Sequence, residues 1–509
     1  MSSNLDTPRR ATHREWIGLA VLALPCILYA MDLTVLNLAV PHLTADLKPS
    51  AEQLLWIIDI YGFLVAGTLL TMGTLGDRIG RRKLLLIGAA AFGAASVLAA
   101  YSSSAEMLIA ARALLGVAAA TLAPSTLSLL RVMFEDPKQR SIAIGVWIAS
   151  FSAGGAIGPL IGGVLLTHFW WGSVFLAAVP VMVLLLILGP SLLPEYRDPE
   201  AGDLDIFSVA LSIAAVLAVI YGIKRIAADG ADAQAFGAIA AGAVIGILFV
   251  LRQRRMKDPL LDMSLFCNPA FSGALLINVV GFFAMFSAFL FIAQYLQLVL
   301  GLSALEAGLW TAPSGIAFIL GSILTAPLSQ KLPPAITVAS GFVVAALGFV
   351  LVAWTGSPMP MATLVGGFIV FSLGLAPVVT LMTDLIVGAA PPERAGAAAG
   401  MAETSTEFGG AAGIAVLGSL VTALYRDGIV GTLPSDLSAE QVRSAEDTLG
   451  AAIAVASDLS GPSAGTVLDT ARHAFSGAFQ ITTLLSAFIV TLAAILAVTL
   501  LRRVRPAAG

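Results

Sequence analysis

Fourteen times the chain returns to an apolar run of about 20 residues closed by charge, Pro or Gly, the length a helix needs to cross the hydrocarbon of a bilayer. The runs lie near 16–40, 53–74, 84–101, 105–130, 140–167, 171–193, 206–224, 235–251, 270–300, 306–329, 335–355, 359–387, 395–424 and 475–501. Inside lipid the backbone must satisfy its own hydrogen bonds, so such runs are read as helices. Of 509 residues 58% are hydrophobic and only 11% charged, and mean hydropathy is +0.94; a soluble domain carries about 25% charge. The expected fold is an all-α integral membrane protein of fourteen transmembrane helices.

An even number of spans puts both termini on one side, and the basic residues say which. With Arg112 set aside as a mid-span residue, the inner segments would hold twenty Lys and Arg, including Arg9, Arg78, Arg131, Lys257, Arg394, Arg503 and Arg505. The outer ones would hold six: Lys48, Lys224, Arg225, Arg426, Arg443 and Arg472. Both termini are therefore expected in the cytoplasm. The opening RRATHREWIGLAVLALPCILYA has a basic leader and an apolar run, as a signal peptide does. It lacks a small-x-small cleavage site followed by polar sequence, and it is read as an uncleaved first span.

Composition excludes several classes. The formal charge of −4 leaves no nucleic-acid footprint, and Cys26 and Cys267 have neither metal-like spacing nor a shared depth for a disulfide. No GxxxxGK[ST] run offers an ATP site, no metal or other cofactor is implied, and no catalytic constellation is present, so the chain is not expected to be an enzyme. Membrane lipid is the expected surrounding, and a monomer the expected state.

SAEQLLWIID around Trp56 resembles SALEAGLWTAP around Trp310, 254 residues on, and GGAIG at Gly154 to Gly158 resembles GGAAG at Gly409 to Gly413, 255 on. Two matches at nearly one offset suggest duplicated six-helix halves. The organisation expected is an N-terminal bundle over 1–200 (helices 1–6), two inserted helices over 201–260 (helices 7–8) and a C-terminal bundle over 261–509 (helices 9–14). An outer segment at about 425–472, whose runs SAEQVRSAEDTL and AGTVLDTARHAF have helical spacing, is expected to form a small cap.

Five acids interrupt the apolar runs: Asp32, Asp59, Asp384, Glu403 and Glu407. A carboxylate in mid-membrane costs about 2.5 to 3.5 kcal/mol on insertion scales, so it is a functional candidate by default. Asp32, Asp59 and Arg112 fall roughly 10 Å from the outer ends of helices 1, 2 and 4 at 1.5 Å per residue, and can neutralise one another. A static ion triad locking three helices is the bland alternative. Glu403 and Glu407 are four residues apart and share a face of helix 13; the alternative is a pair of solvated acids in a polar stretch with Thr404, Ser405 and Thr406. Asp384, nearer an inner end, is read as structural. Trp56, Tyr61, Trp147 and Trp310 are aromatic candidates for holding an organic cation, although a Trp near the interface is also an ordinary belt residue. His13, His42, His168 and His473 all fall outside mid-membrane, which leaves the carboxylates to carry protons.

Gly73, Leu75, Asp77, Arg78, Gly80, Arg81 and Arg82 resemble the signature loop between helices 2 and 3 of the major facilitator superfamily. Arg112 with Gly116 resembles the helix 4 motif, and Gly154, Gly158, Pro159, Gly162 and Gly163 the helix 5 antiporter motif. Asp32, Thr34, Asn37, Ala39 and Pro41 are similar to the first-helix motif of the fourteen-helix drug/proton antiporters. The likeness covers nearly the whole chain and looks closest to bacterial exporters of quaternary ammonium compounds, cationic dyes and methyl viologen. It implies a proton-coupled exporter of lipophilic organic cations, including biguanide-like antiseptics, working by alternating access. Some relatives carry a further acid in helix 10; here Phe318 stands about where it would fall, which weakens the expectation for divalent cations.

Physical reading of the motifs runs beside this. Asp77 can cap the next helix or pair across the halves as a latch, whereas Arg81 to Lys83 can be mere positive-inside charge. Glycines at 154, 158 and 162 strip one helix face for close packing, and Pro159 can bend it. The alternative function is a proton-coupled or facilitative carrier of a metabolite such as a sugar or amino acid, with a membrane enzyme or receptor third.

Overall fold

A computed structural model of the chain describes residues 10–197, 205–229, 232–256, 259, 263–354, 360–389, 395–459 and 462–502. Arg9, Lys257, Arg394, Arg503 and Arg505, and the boundaries at 200 and 260, lie outside these residues. Fourteen helices are long and apolar enough to cross a membrane. They are α1 (His13–Leu47), α2 (Ala51–Ile79), α3 (Arg81–Ala100), α4 (Ala105–Met133), α5 (Pro137–His168), α6 (Ser173–Leu192) and α7 (Ile206–Asp229). There follow α8 (Ala233–Gln253), α9 (Pro269–Val299), α10 (Ala304–Lys331), α11 (Pro334–Ala353), α12 (Met361–Gly388), α13 (Ala395–Ile429) and α14 (Pro462–Leu500). The apolar runs thus locate each of these fourteen helices.

The local sequence explains several starts. Thr12 with Glu15, Ser50 with Gln53 and Ser303 with Glu306 form capping boxes that satisfy the first free N–H groups of α1, α2 and α10. The caps of α2 and α10 are one device used twice. The helix pairings also recur in order: α1 lies on α5 as α9 lies on α13, α3 on α4 as α11 on α12, and α3 on α6 as α11 on α14. A Cβ at Gly154 would strike the Ile27 carbonyl of α1, and one at Gly409 would lie 2.6 Å from the Val279 carbonyl of α9. Related glycines therefore bring related helix pairs to backbone contact.

The two groups of six meet along two seams, α2 against α13 and α5 against α10; of the inserted helices α7 packs on α2 and α13, and α8 packs on α7. One end of the bundle carries two short helices, Ala439–Asp447 and Leu449–Asp458. Gly450 touches Thr44 at the end of α1, Arg426 pairs with Asp447 at 2.5 Å, and the Tyr425 hydroxyl donates to the Ala445 carbonyl at 2.8 Å. This is the cap end; α1 begins and α14 finishes at the opposite, terminal end. The cap is smaller than 425–472, because α13 runs on to Ile429 and AGTVLDTARHAF belongs to the first turns of α14.

Closure is tight toward the cap end. A Cβ on Gly163 of α5 would lie 2.7 Å from Leu305 Cα of α10, and one on Gly308 of α10 would lie 2.5 Å from the Pro159 carbonyl. Below this level α2, α7, α8 and α13 enclose a crevice of about 640 Å³, apolar but for Thr71, Ser212, Thr404 and Arg254. At the terminal end Arg252 binds Asp205 through both carboxylate oxygens at 3.0 and 3.1 Å, and with Ser208 holds that carboxyl down at about 2.

Candidate transport site

Of the helix 13 acids, Glu407 meets an aromatic side chain from the first six helices. Glu407 is 2% exposed, and its Oε1 accepts a hydrogen bond from the Tyr29 hydroxyl of α1 at 2.6 Å. Its Oε2 is buried with no hydrogen-bond partner among the described residues. The Tyr29 ring lies 5.6 Å from Phe151 and 6.3 Å from Tyr61, and Phe151 lies 4.8 Å from Trp147, all centroid to centroid. Trp147 donates its indole N–H to Thr126 Oγ1 at 3.0 Å, which fixes the ring. A chain of four rings from α1, α2 and α5 therefore faces a carboxylate from α13 across a seam.

Glu403, one turn nearer the terminal end on the same helix, is half-buried. Two of the hydroxyls between the acids turn toward α9, where Asn278 donates to Ser405 Oγ at 2.8 Å and Thr406 Oγ1 at 3.1 Å, while Thr404 lines the crevice.

Asp32 pairs with Arg112 at 2.6 Å. The guanidinium also donates to the Ile57 and Ile58 carbonyls of α2 at 3.2 and 3.4 Å and stands 4.5 Å from the Tyr61 ring centroid. The expected triad is not formed. Asp59, although one residue beyond these carbonyls, bonds Lys224 of α7 at 2.9 Å, and both side chains are fully buried. Lys224 is thus no outer-loop charge, and the count of outer basic residues falls accordingly. The physical reason is that α7 packs on α2 and carries its ammonium directly to the acid.

The aromatic candidates divide. Tyr61 and Trp147 join the ring chain, whereas Trp56 lies against α7 with its centroid 3.9 Å from Lys224 Nζ. Trp310 is 45% exposed beside Leu309 and stands apart from the cluster, because that turn of α10 faces outward. Asp384 is exposed and Phe318 half-buried. Sequence reading passed over Tyr29, Phe151 and Lys224. Tyr29 and Asp32 are three apart on α1, and Trp147 and Phe151 four apart on α5, so helical spacing offered a signal for both rings.

The glycine-rich motifs make contacts that can be named. Gly154, Gly158 and Gly162 press α5 onto Ile27, Thr34 and Val35 of α1, the bland packing role, while Pro159 and Gly163 form the seam with α10. In the loop motif Gly80 has φ +111°, a conformation open at little cost only to glycine, and it starts α3. Asp77 bonds Arg81 Nε at 2.7 Å, and Arg82 reaches the Pro190 and Leu193 carbonyls and Glu195. Among the described residues these bonds of Asp77, Arg81 and Arg82 stay within residues 77–195. Gly73 has open space around it.

A sequence model of the Major Facilitator Superfamily matches residues 22–414. The multidrug efflux pump LfrA of Mycolicibacterium smegmatis is 43% identical over 97% of this chain and 96% of its own length. The methyl viologen resistance protein SmvA of Salmonella typhimurium is 35% identical over 91% and 93%. Among solved structures, an inward-facing, unoccupied bacterial homolog of the human lysosomal transporter Spinster aligns with a TM-score of 0.68 at 16% identity, covering 97% of this chain and 99% of that one. At that identity the likeness concerns the fold alone. The fourteen membrane helices, their twofold packing and the family match agree: the chain is a multi-pass membrane transporter that belongs to the Major Facilitator Superfamily.

Proposed function

We propose that the protein is a proton-coupled multidrug exporter of lipophilic organic cations, among them quaternary ammonium compounds, cationic dyes, biguanide-like antiseptics and methyl viologen. The observation that carries this reading is Glu407: a buried carboxylate at a seam between the halves, one oxygen held by Tyr29 and the other without a partner, beside four aromatic rings. A carboxylate supplies charge attraction and ring faces supply cation–π contact. The names of relatives along nearly the full length, a multidrug efflux pump and a methyl viologen resistance protein, favour the same class of cargo.

In this reading Asp32, Glu403 and Glu407 exchange protons and cargo, Arg112 holds Asp32 in place, and proton entry displaces the cation. The cap end faces outward and both termini lie in the cytoplasm, in a bacterial inner membrane, with a monomer as the working unit. The two bundles, 1–200 and 261–509, rock about the seams. With the α5/α10 seam closed toward the cap, the conformation is closed to the outside, and Asp77 joins a latch across the halves only in the alternate state. Ethidium efflux from cells expressing the chain, with and without a protonophore, is the test. Efflux that survives collapse of the proton gradient would remove the coupling, and absence of efflux would remove the cargo class.

A further inference from the structure

The buried pair at the edge of the insert has the composition of a ligand site with its ligand covalently attached. The Lys224 ammonium is 2.9 Å from Asp59 Oδ1 and 3.9 Å from the Trp56 ring centroid. Neither charged side chain is exposed at all. Asp59 Oδ2 is buried and has no hydrogen-bond partner among the described residues, so the carboxylate is held on one side only. Trp56 donates to Glu52 at 3.4 Å, which sets the ring. Below, Phe63 and Ile220 with Ala411 and Ala415 close off the space with an apolar cluster. Of the other charges near α2, Arg112 is committed to Asp32 and two carbonyls, and Arg225 of α7 to Asp232.

A carboxylate on one side of an ammonium and an indole face on another is the arrangement by which proteins recognise alkylammonium groups. A static lock between helices has no need of the ring, and it would gain from occupying both carboxylate oxygens, since an ion pair withdrawn from water repays its desolvation only when the remaining lone pairs are satisfied. Here the second oxygen is left empty. An inserted helix has supplied the cation to a box on the transport bundle.

We propose that Asp59 and Trp56 form an alkylammonium box whose resident occupant is the tethered ammonium of Lys224, and that α7 thereby competes with cationic cargo for Asp59. This makes the inserted pair a determinant of specificity. It rests on the organic-cation reading given above.

The test is chemical rescue with n-propylammonium, which matches the end of the lysine side chain. Full-length Lys224→Ala, Lys224→Met, Lys224→Arg and the double variant Lys224→Ala/Asp59→Asn are purified in detergent, and melting temperature is read with n-propylammonium chloride or equal sodium chloride. Lys224→Ala should melt below the wild type and regain a few degrees with n-propylammonium alone, by binding to the folded form. Lys224→Met, with its volume filled, and the double variant, without the acid, should show no such gain; Lys224→Arg, which keeps a tethered cation beside Asp59, should show none either. In proteoliposomes n-propylammonium should compete with ethidium in Lys224→Ala and lower its transport, and should leave transport by Lys224→Met unaffected. Should Lys224→Ala not survive purification, its yield with and without n-propylammonium throughout extraction replaces the melting temperature, and a gain specific to n-propylammonium is the expected result. No rescue of Lys224→Ala, or equal rescue of the double variant, would overturn the box and leave a structural ion pair. Wild-type proteoliposomes that move no ethidium under a proton gradient would instead remove the cation-export reading, whatever the melting data show, and the competition with it.

Discussion

Asp32→Asn separates the electrostatic work of the first-helix acid from its shape. The wild-type carboxylate is 2.6 Å from Arg112, whose side chain is 1% exposed, so the substitution leaves a guanidinium inside the bundle without its counter-charge. Removing one partner of a buried ion pair costs about 3 to 5 kcal/mol. Two features move the expectation down: Asp32 is 14% exposed, and Arg112 keeps the Ile57 and Ile58 carbonyls. With the asparagine oxygen still available as an acceptor, a loss of about 2 to 3 kcal/mol is expected. Exchanging both charges, as in Asp32→Asn/Arg112→Met, should recover most of that loss, because no uncompensated charge is then left inside the bundle and the amide at the 14% exposed position costs less than a bare guanidinium. Transport should not recover in either variant, since neither offers an exchangeable carboxyl at this position. Denaturant titration in mixed micelles reads the stability, and ethidium efflux in proteoliposomes reads the transport. A single variant as stable as the wild type, or a double variant less stable than the sum of its parts, would refute the energetic argument. Near-normal efflux by well-inserted Asp32→Asn would refute the transport role.

The seam acids should govern selectivity. Glu407→Gln and Glu403→Gln are expected to weaken export of a quaternary ammonium dye more than of an uncharged compound, since one close charge pair is worth about 4 kcal/mol at an effective dielectric near 20 before desolvation. Phe318→Asp should favour dications if that side chain meets cargo; a resistance panel that falls equally for every compound would assign the glutamates to coupling or packing. Asp77→Asn removes the partner of Arg81 at the terminal end and should slow the conformational switch while leaving cation affinity unchanged, so a parallel drop in equilibrium binding in detergent would contradict it. Gly163→Leu places side-chain atoms where Leu305 Cα already lies, so the α5/α10 seam cannot close. Cysteine reporters lining the cap end should then label faster, and unchanged labelling would show that this seam does not gate access.

The sequence was most informative where a single helix decides the outcome. Apolar runs located α1 to α14 because the bilayer imposes length and hydropathy on each span independently. The last helix was drawn short because its opening turns, Thr466 to His473, are polar and lie beside the cap. Sites made between helices were legible only in part. Asp32, Arg112 and Glu407 were found because a charge in lipid is conspicuous, yet the pairing was misassigned: Lys224 stands 165 residues from Asp59, and a lysine near the end of an apolar run looks like an interfacial charge. Tyr29 and Phe151 were passed over because an aromatic ring in an apolar run is ordinary until something polar is brought against it. Depth along one helix can be counted from sequence; rotation about its axis, which chose Lys224 over Arg112 for Asp59, cannot.

The insert also breaks the symmetry of exposure to lipid. A duplicated pair of six-helix halves would present two equivalent flanks to the bilayer, one at each seam. Here α7, backed by α8, lies across α2 and α13 like a shutter, and among the described residues no corresponding helices lie across α5 and α10. A compound dissolved in the acyl chains therefore meets two unlike flanks: one where α5 and α10 meet directly, with Gly163 and Gly308 set against backbone, and one where α7 with α8 behind it covers α2 and α13. Left and right are no longer interchangeable for a molecule that arrives sideways.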